Sequence, residues 1–172
     1  MNPADPVTPA DCDDLVALFA YDEVGSRLVA ALKFHNDRSC LRWAGEQLGA
    51  IAEFPADNLV VTWVPTTSRR RRVRGYDQAE LLARHTALAL RATCRSLLLR
   101  RDGEAQTGKD LVQRQELAPK FIPSRLAAGR DVLLVDDVCT TGTTLNAAAQ
   151  SMRRAGAISV RAAVMAYTPK RV

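Results

Sequence analysis

A hydrophobic run that ends in two acids and a hydroxyl-rich loop, residues 132–144, constrains this chain more than any other segment. The four consecutive apolar residues 132–135 are typical of a strand covered on both faces, as in a parallel sheet. Asp136 and Asp137 follow at the predicted carboxyl end of that strand, where open α/β sheets place their ligands. The loop 140–144 then opens a predicted helix, whose N-terminal N–H groups favour a phosphate. The order of these parts predicts a sugar-phosphate site.

Simpler interpretations of the same residues exist. An Asp-Asp pair can cap a turn, and a threonine can N-cap a helix without any ligand. Cys139 lies inside the loop. There a helix dipole would lower the pKa of the thiol, or the residue is simply small enough to fit.

These thirteen positions resemble the signature of type I phosphoribosyltransferases, which is an apolar strand, two acids and a Thr-Thr-Gly-Thr-Thr type of loop. The resemblance implies that the loop binds the 5-phosphate of phosphoribosyl pyrophosphate (PRPP). It also implies that Asp136 and Asp137 hold the ribose hydroxyls and serve as the catalytic residues. The residues that it assigns to the 5-phosphate are Thr140, Thr141, Gly142, Thr143 and Thr144.

Composition narrows the class of protein. The 172 residues are 47% hydrophobic and 25% charged, which is ordinary for one globular domain. No apolar run approaches the roughly 20 residues that span a bilayer, so no membrane partner is expected. The four cysteines are widely separated, which predicts a reducing, cytoplasmic location and neither a zinc site nor a disulfide framework. The net charge of +5 favours anionic partners.

Hydrophobic periodicity predicts alternating strands and helices. The strands are expected at residues 15–21, 59–64, 96–100, 131–135 and 158–166, and a short extended segment is expected around 121–122. The helices are expected at 24–35, 41–52, 77–91 and 143–155. The helix over 77–91 should turn Leu81, Leu82, Leu88 and Ala89 toward the core. This alternation predicts a parallel α/β sheet flanked by helices, a Rossmann-type core.

An arginine-rich segment follows the strand at 59–64, with five arginines within residues 69–74. Arginine suits phosphate oxygens because its planar fork donates two parallel hydrogen bonds. A solvated surface loop and a nucleic-acid patch are the other interpretations that the segment allows by itself.

The residues around this segment resemble the ComF/GntX family of phosphoribosyltransferase-like proteins. The resemblance rests on Val64-Pro65, the basic loop and the run RGYDQAELLA at 74–83, in which Asp77 stands where the family usually has Asn. It implies a small N-terminal hood at residues 15–57 and a core at 58–172. The residues before them, 1–14, carry three prolines and four acids and are expected to form a flexible tail. The resemblance assigns Thr66, Thr67, Arg69, Arg70 and Arg74 to pyrophosphate, and Arg100, Arg101 and Lys109 to a mobile loop.

The resemblance implies a phosphoribosyltransferase-like protein that binds PRPP with Mg²⁺. The ion would be held through the ligand rather than by a dedicated set of protein side chains. The acceptor of the phosphoribosyl group would be an unidentified nucleobase or amine. A homodimer is a further expectation. The alternative is a non-catalytic protein that binds PRPP or nucleotides, or an accessory protein of DNA uptake that binds nucleic acid through Arg69 to Arg74.

Overall fold

Five parallel strands form the main sheet of the computed structural model, which describes residues 6–20, 38–52, 54, 57–101 and 119–169. Within these residues the strand order is β1-β7-β6-β2-β3. The strands are β1 Asp14–Ala20, β2 Leu59–Trp63, β3 Thr93–Cys94, β6 Asp131–Cys139 and β7 Ser159–Tyr167. The helices are α1 Arg38–Ile51, α2 Ser68–Arg74, α3 Gln78–Ala89 and α4 Thr143–Arg154, and a 3₁₀ turn spans Arg125–Ala127.

Strand β6 lies at the centre of the sheet and is buried on both faces. Val132 and Leu134 face α4, where they pack with Leu145 and Met152 among others. Leu133 faces the opposite side, where α1 and α3 cover the sheet. The two faces alternate because successive side chains of a strand point to opposite sides. The predicted parallel α/β sheet flanked by helices is therefore confirmed.

Helix α3 contacts the sheet through a different stripe from the one predicted. Leu82 is buried as expected, but Leu88 is 74% exposed and Ala89 is also exposed. The buried stripe has the spacing i, i+3, i+4, i+7 and i+8 of one helix face. Its members are Ala79, Leu82, Ala83, Thr86 and Ala87. The prediction relied mainly on large apolar residues. The face of the helix that is buried is instead the one rich in small residues, which allow a close approach.

The N-terminal part of the chain is more integrated than predicted. Strand β1 pairs in parallel with β7, so it is an edge strand of the main sheet. The division into a hood at 15–57 and a core at 58–172 stays a prediction. Residues 6–13, which were expected to belong to a flexible tail at 1–14, lie against the core. For example, the Asp13 N–H donates to the Val160 carbonyl at 2.8 Å. Backbone bonds to β7 therefore hold both β1 and the residue before it.

Two further strands form a separate antiparallel ribbon. These are β4, Leu98–Arg101, and β5, Lys120–Pro123. They confirm the extended segments predicted near 96–100 and 121–122, while the two-residue strand β3 was not predicted. The predicted helix at 24–35 lies outside the described residues, as does the segment 102–118 with Lys109.

Helices α1 and α3 approach closely at Gly45. A Cβ at that position would lie 2.5 Å from His85 Cβ and 2.9 Å from the Leu82 carbonyl oxygen. Gly45→Ala should therefore destabilise the protein by about 1–3 kcal/mol, because the overpacking outweighs the better helix propensity of alanine. Urea unfolding would measure the change. The control is Gln47→Ala on the exposed face of α1, which should change the free energy of unfolding by less than about 0.5 kcal/mol. A Gly45→Ala protein as stable as the wild type would contradict this packing.

Candidate functional site

The two carboxylates lie within β6, not beyond its end. The strand was expected to end at Val135, but its pairing with β7 continues through Asp136, opposite Val164, and on to Cys139. Both acids are partly buried, and Asp136 Oδ1 accepts the Asp137 N–H at 2.8 Å. Because β7 pairs with β6 through this stretch, the acids are held on regular strand backbone at the carboxyl edge of the sheet.

The environment of Asp136 disfavours its charged form. Burial raises the pKa of this carboxyl well above its ordinary value, and the negative charges of Asp137 and Asp77 raise it further. A carboxyl group that keeps its proton more readily can donate a hydrogen bond as well as accept one. Asp136 is therefore suited to a hydroxyl-bearing ligand.

The loop 140–144 has the conformation of an open helix start. Gly142 is the N-cap of α4 in the left-handed region, with φ 77°, and its carbonyl accepts the Asn146 N–H at 2.8 Å. The N-cap residue has no side chain to cap the helix, so the alternative that a threonine serves as the N-cap is wrong. The Thr141 hydroxyl accepts the Thr143 N–H at 3.5 Å. The hydroxyls of Thr141 and Thr143 lie 2.9 Å apart on the exposed side. A helix N-terminus with exposed hydroxyls beside it is suited to an anion.

Cys139 is not an activated thiol. It is buried, and burial together with the charge of Asp136 raises its pKa. The predicted effect of the helix dipole does not prevail, because desolvation of the thiolate dominates. The alternative interpretation, a small residue that fits the loop, agrees with its place in the core.

The arginine-rich segment forms a short helix rather than the predicted loop. Thr67 is the N-cap of α2, and its side chain accepts the Arg70 N–H at 3.3 Å. Gly75 ends the helix in the left-handed region, and its N–H donates to the Arg71 carbonyl at 2.8 Å. None of the residues of α2 is buried, so Arg69 and Arg70 point into solvent. The caps at both ends explain the helix, although its sequence offers no apolar face.

Asp77 joins the start of this segment to α3. Its Oδ2 accepts the Thr66 N–H at 2.9 Å and its Oδ1 accepts the Ala79 N–H at 3.1 Å. The residue is only 5% exposed, and burial raises its pKa. At the start of the segment after β2, the Val64 N–H donates to the Val135 carbonyl at 3.0 Å. The segment after β2 is therefore fixed beside the acid pair on β6.

Asp77 was predicted as a helix cap but not as a site residue. The available signal was its position directly before an amphipathic helix. Its second hydrogen bond, to a residue eleven positions earlier, could not be inferred from the local pattern.

The remaining site residues divide between the ribbon and α2. Arg74 is partly buried and donates to Gln78 Oε1 at 2.8 Å. Arg100 and Arg101, expected in a mobile loop, lie on strand β4 instead, because they pair with Phe121 and Lys120. Arg100 also donates to the Pro65 carbonyl at 3.3 Å, which links the ribbon to the segment after β2. Lys109 lies outside the described residues.

Metal and membrane features were searched in the same part of the chain. Among the described residues, no group of three or more His, Cys, Asp or Glu side chains could hold a metal ion. None of the helices described there combines the length and the hydropathy needed to cross a bilayer.

Residues 78–172 match the phosphoribosyl transferase domain family. The chain belongs to this family. The matched part runs from α3 through the acid pair, the loop 140–144 and β7, so it contains the features from which the sugar-phosphate site was predicted.

Curated relatives confirm the predicted membership of the ComF group. The chain is 25% identical over 143 residues to the competence protein ComFC of Bacillus subtilis (strain 168), covering 81% of this chain and 58% of the relative. It is 28% identical over 151 residues to the competence protein ComFC of Streptococcus pneumoniae (strain ATCC BAA-255 / R6), covering 84% and 64%. The chain therefore spans about three fifths of the length of these relatives.

A solved structure supports the fold. The glutamine PRPP amidotransferase from B. subtilis, complexed with ADP and GMP, matches with a TM-score of 0.53 and 25% identity. The match covers 74% of this chain and 26% of the amidotransferase, so it concerns one domain of a larger enzyme.

The raised pKa of Asp136 predicts a pH-dependent cost of this carboxyl to stability. The folded state holds the proton more tightly than the unfolded state. This tighter binding contributes fully to the free energy of unfolding below the unfolded pKa of about 3.9, and the contribution is lost as the pH rises through the folded pKa. Asp136→Asn removes this titration. Its free energy of unfolding relative to wild type should therefore increase from pH 4 to pH 8. Urea unfolding across that range measures the difference, and a constant difference would contradict the burial of an acid at this position.

Proposed function

We propose that this protein binds PRPP together with Mg²⁺ and transfers the phosphoribosyl group to a nucleobase or an amine with release of pyrophosphate. The observation that carries the proposal is the continuous path from the acid pair on β6 through the loop 140–144 to the start of α4. The family of the chain supports it, and so does the amidotransferase, whose own name includes PRPP.

Each part of PRPP has a matching group in the site. The N–H groups and hydroxyls at the start of α4 suit the 5-phosphate, whose charge the helix dipole favours. Asp136 and Asp137 suit the ribose 2- and 3-hydroxyls. The segment after β2, with Thr66, Thr67 and the arginines of α2, suits the pyrophosphate, because the Val64–Val135 hydrogen bond places this segment beside the acids.

Mg²⁺ fits this donor set as an ion brought by the ligand. Two adjacent carboxylates are too few to enclose it, and Mg²⁺ commonly keeps water and binds substrate phosphates with one or two carboxylates. Asp136 and Asp137 would hold it through their oxygens or through water. When bound, the ion would neutralise charge on the pyrophosphate as that group leaves.

The chemistry requires placement and charge control more than a protein nucleophile. The acceptor displaces pyrophosphate at C1 of the ribose with inversion, and positive charge develops on the ring in the transition state. Carboxyl oxygens beside the ribose stabilise that charge, and oxygens already fixed on a strand do so with little reorganisation. Trp43, an aromatic residue of the predicted hood, lies on α1 and is 51% exposed. It does not distinguish one acceptor from another, so the acceptor is proposed only as a class.

A second candidate function is binding of single- or double-stranded DNA through α2. The favouring observation is that Arg69 to Arg72 are all exposed on one short helix, and Arg71 meets Glu80 only at the ion-pair limit of 4.0 Å. Exposed arginines attract phosphate backbones without sequence preference. The competence-protein names of the curated relatives are consistent with a DNA-related role.

Calorimetric titration of PRPP with Mg²⁺ tests the first proposal. The wild type should bind saturably, and Asp136→Ala/Asp137→Ala should weaken binding at least about 100-fold, or about 2.7 kcal/mol, because the ribose loses both partners. Asp131→Asn at the amino end of the same strand is the matched control and should keep the affinity. Absence of binding at millimolar PRPP would reject the proposal. Asp137→Asn should further abolish pyrophosphate release in any acceptor assay while the protein remains folded.

The DNA alternative predicts a different pattern of loss. Fluorescence anisotropy with a labelled oligonucleotide should show an affinity that falls steeply with salt, with a slope set by the number of phosphates contacted. Arg69→Ala/Arg70→Ala/Arg72→Ala should reduce both the affinity and the salt slope. Asp136→Ala/Asp137→Ala should lower neither of them. Equal binding by the arginine variant and the wild type would exclude α2 as a nucleic-acid interface.

A further inference from the structure

The N-terminal segment 6–13 runs along α4 from the phosphate loop to the opposite edge of the sheet. We call these residues the N-terminal brace. At its far end Asp13 is held twice by β7, because its N–H donates to the Val160 carbonyl and its Oδ2 accepts the Val160 N–H, both at 2.8 Å. Asp13 also pairs with Arg153 near the end of α4. This end of the brace is therefore firmly attached to the core.

The near end of the brace contacts the phosphate loop at two points. The Asp11 N–H donates to Asn146 Oδ1 at 2.9 Å, and Asn146 belongs to the first turn of α4. Pro9 is buried against Gly142, where a Cβ would lie 3.3 Å from Pro9 Cγ. The turn is closed by the Cys12 N–H, which donates to the Pro9 carbonyl at 2.9 Å.

These contacts matter because the loop's own bond at the helix start is long: the Thr143 N–H reaches Thr141 Oγ1 at 3.5 Å. A cavity of about 360 Å³ lies between the brace, the loop and the end of β7. Its walls include Val7, Leu15, Gly142 and Tyr167. In addition, the helix start lacks the side-chain cap that commonly fixes such a turn. A loop beside a cavity, without a cap, can shift unless a tertiary contact holds it.

We propose that the N-terminal brace positions the phosphate loop, with Asn146 and Pro9 as positioning residues for the 5-phosphate. This proposal rests on the proposed function, since it concerns the same site. The brace takes the place of the missing helix cap: it contacts the N-cap residue and binds the first turn, so that the N–H groups of the loop keep their direction. The pyrophosphate side, attached to β2 and α3 through Asp77, does not depend on it.

The test compares two ligands that report on the two sides of the site. Ribose 5-phosphate reports on the loop, and pyrophosphate with Mg²⁺ reports on the segment after β2. In the full chain, Asn146→Ala should weaken ribose 5-phosphate binding about tenfold and leave pyrophosphate binding unchanged. Asp13→Ala, which releases the far end of the brace, should act in the same direction. Gln150→Ala, one turn further along the exposed face of α4, is the matched control and should change neither affinity.

Hydrogen exchange supplies a second readout that does not need a ligand. In Asn146→Ala, the amides of residues 140–146 should exchange faster while those of β6 keep their rates. Unchanged affinity and exchange would overturn the brace. An equal loss for both ligands together with a lower melting temperature would overturn it too, because that pattern indicates a purely structural role. If the wild type binds neither PRPP nor ribose 5-phosphate, the proposed function fails and this proposal fails with it. If the wild type binds both and the variants bind equally well, only the brace is overturned.

Discussion

Burial of the central strand β6 is the constraint on which the site depends. Its residues 132–135 are at most 1% exposed, and the strand is hydrogen-bonded to β2 on one side and β7 on the other. Side chains that come directly after the buried run of such a strand are held on its rigid backbone and lie partly in its low-dielectric surroundings. That is why Asp136 has a raised pKa and a defined position at once. Desolvation of this acid costs stability, and a ligand that gives it hydrogen-bond partners would relieve the cost.

The two sides of the site are tied to this strand in different ways. The segment after β2, proposed for the pyrophosphate, is held by Asp77, a buried carboxylate that accepts N–H groups from two segments. This arrangement lets α2 carry five arginines without burying any residue, because the ends of the helix rather than its faces are anchored. The loop 140–144, proposed for the 5-phosphate, continues directly from β6, and it contacts the brace at the N-cap Gly142. The sheet thus positions both segments, and each segment is held by its own set of contacts.

Family membership accounts for the part of the chain from α3 to β7, residues 78–172. The N-terminal brace precedes that part, and so does α1, whose Gly45 allows close packing on α3. These N-terminal elements show how a phosphoribosyltransferase core can be completed by surrounding chain: one supports a helix of the core, and the other supports the loop that begins α4. The chain spans about three fifths of the length of its curated relatives.

The local patterns of the sequence determined the parallel sheet, the acid pair, the loop 140–144 and the family, since each arises from consecutive residues whose order reflects buried strands and helix starts. The helix in place of the arginine loop, the phase of α3 and the continuation of β6 to Cys139 were decided by tertiary structure. Each depends on contacts that the residue pattern does not display: a segment closed at its base by the bond from Thr66 to Asp77, a sheet that selects small residues, and β7 pairing beyond the acids. The contact of Pro9 with Gly142 joins residues more than a hundred positions apart. Local sequence carries no record of such a contact, because it forms only when the packed sheet brings the two segments together.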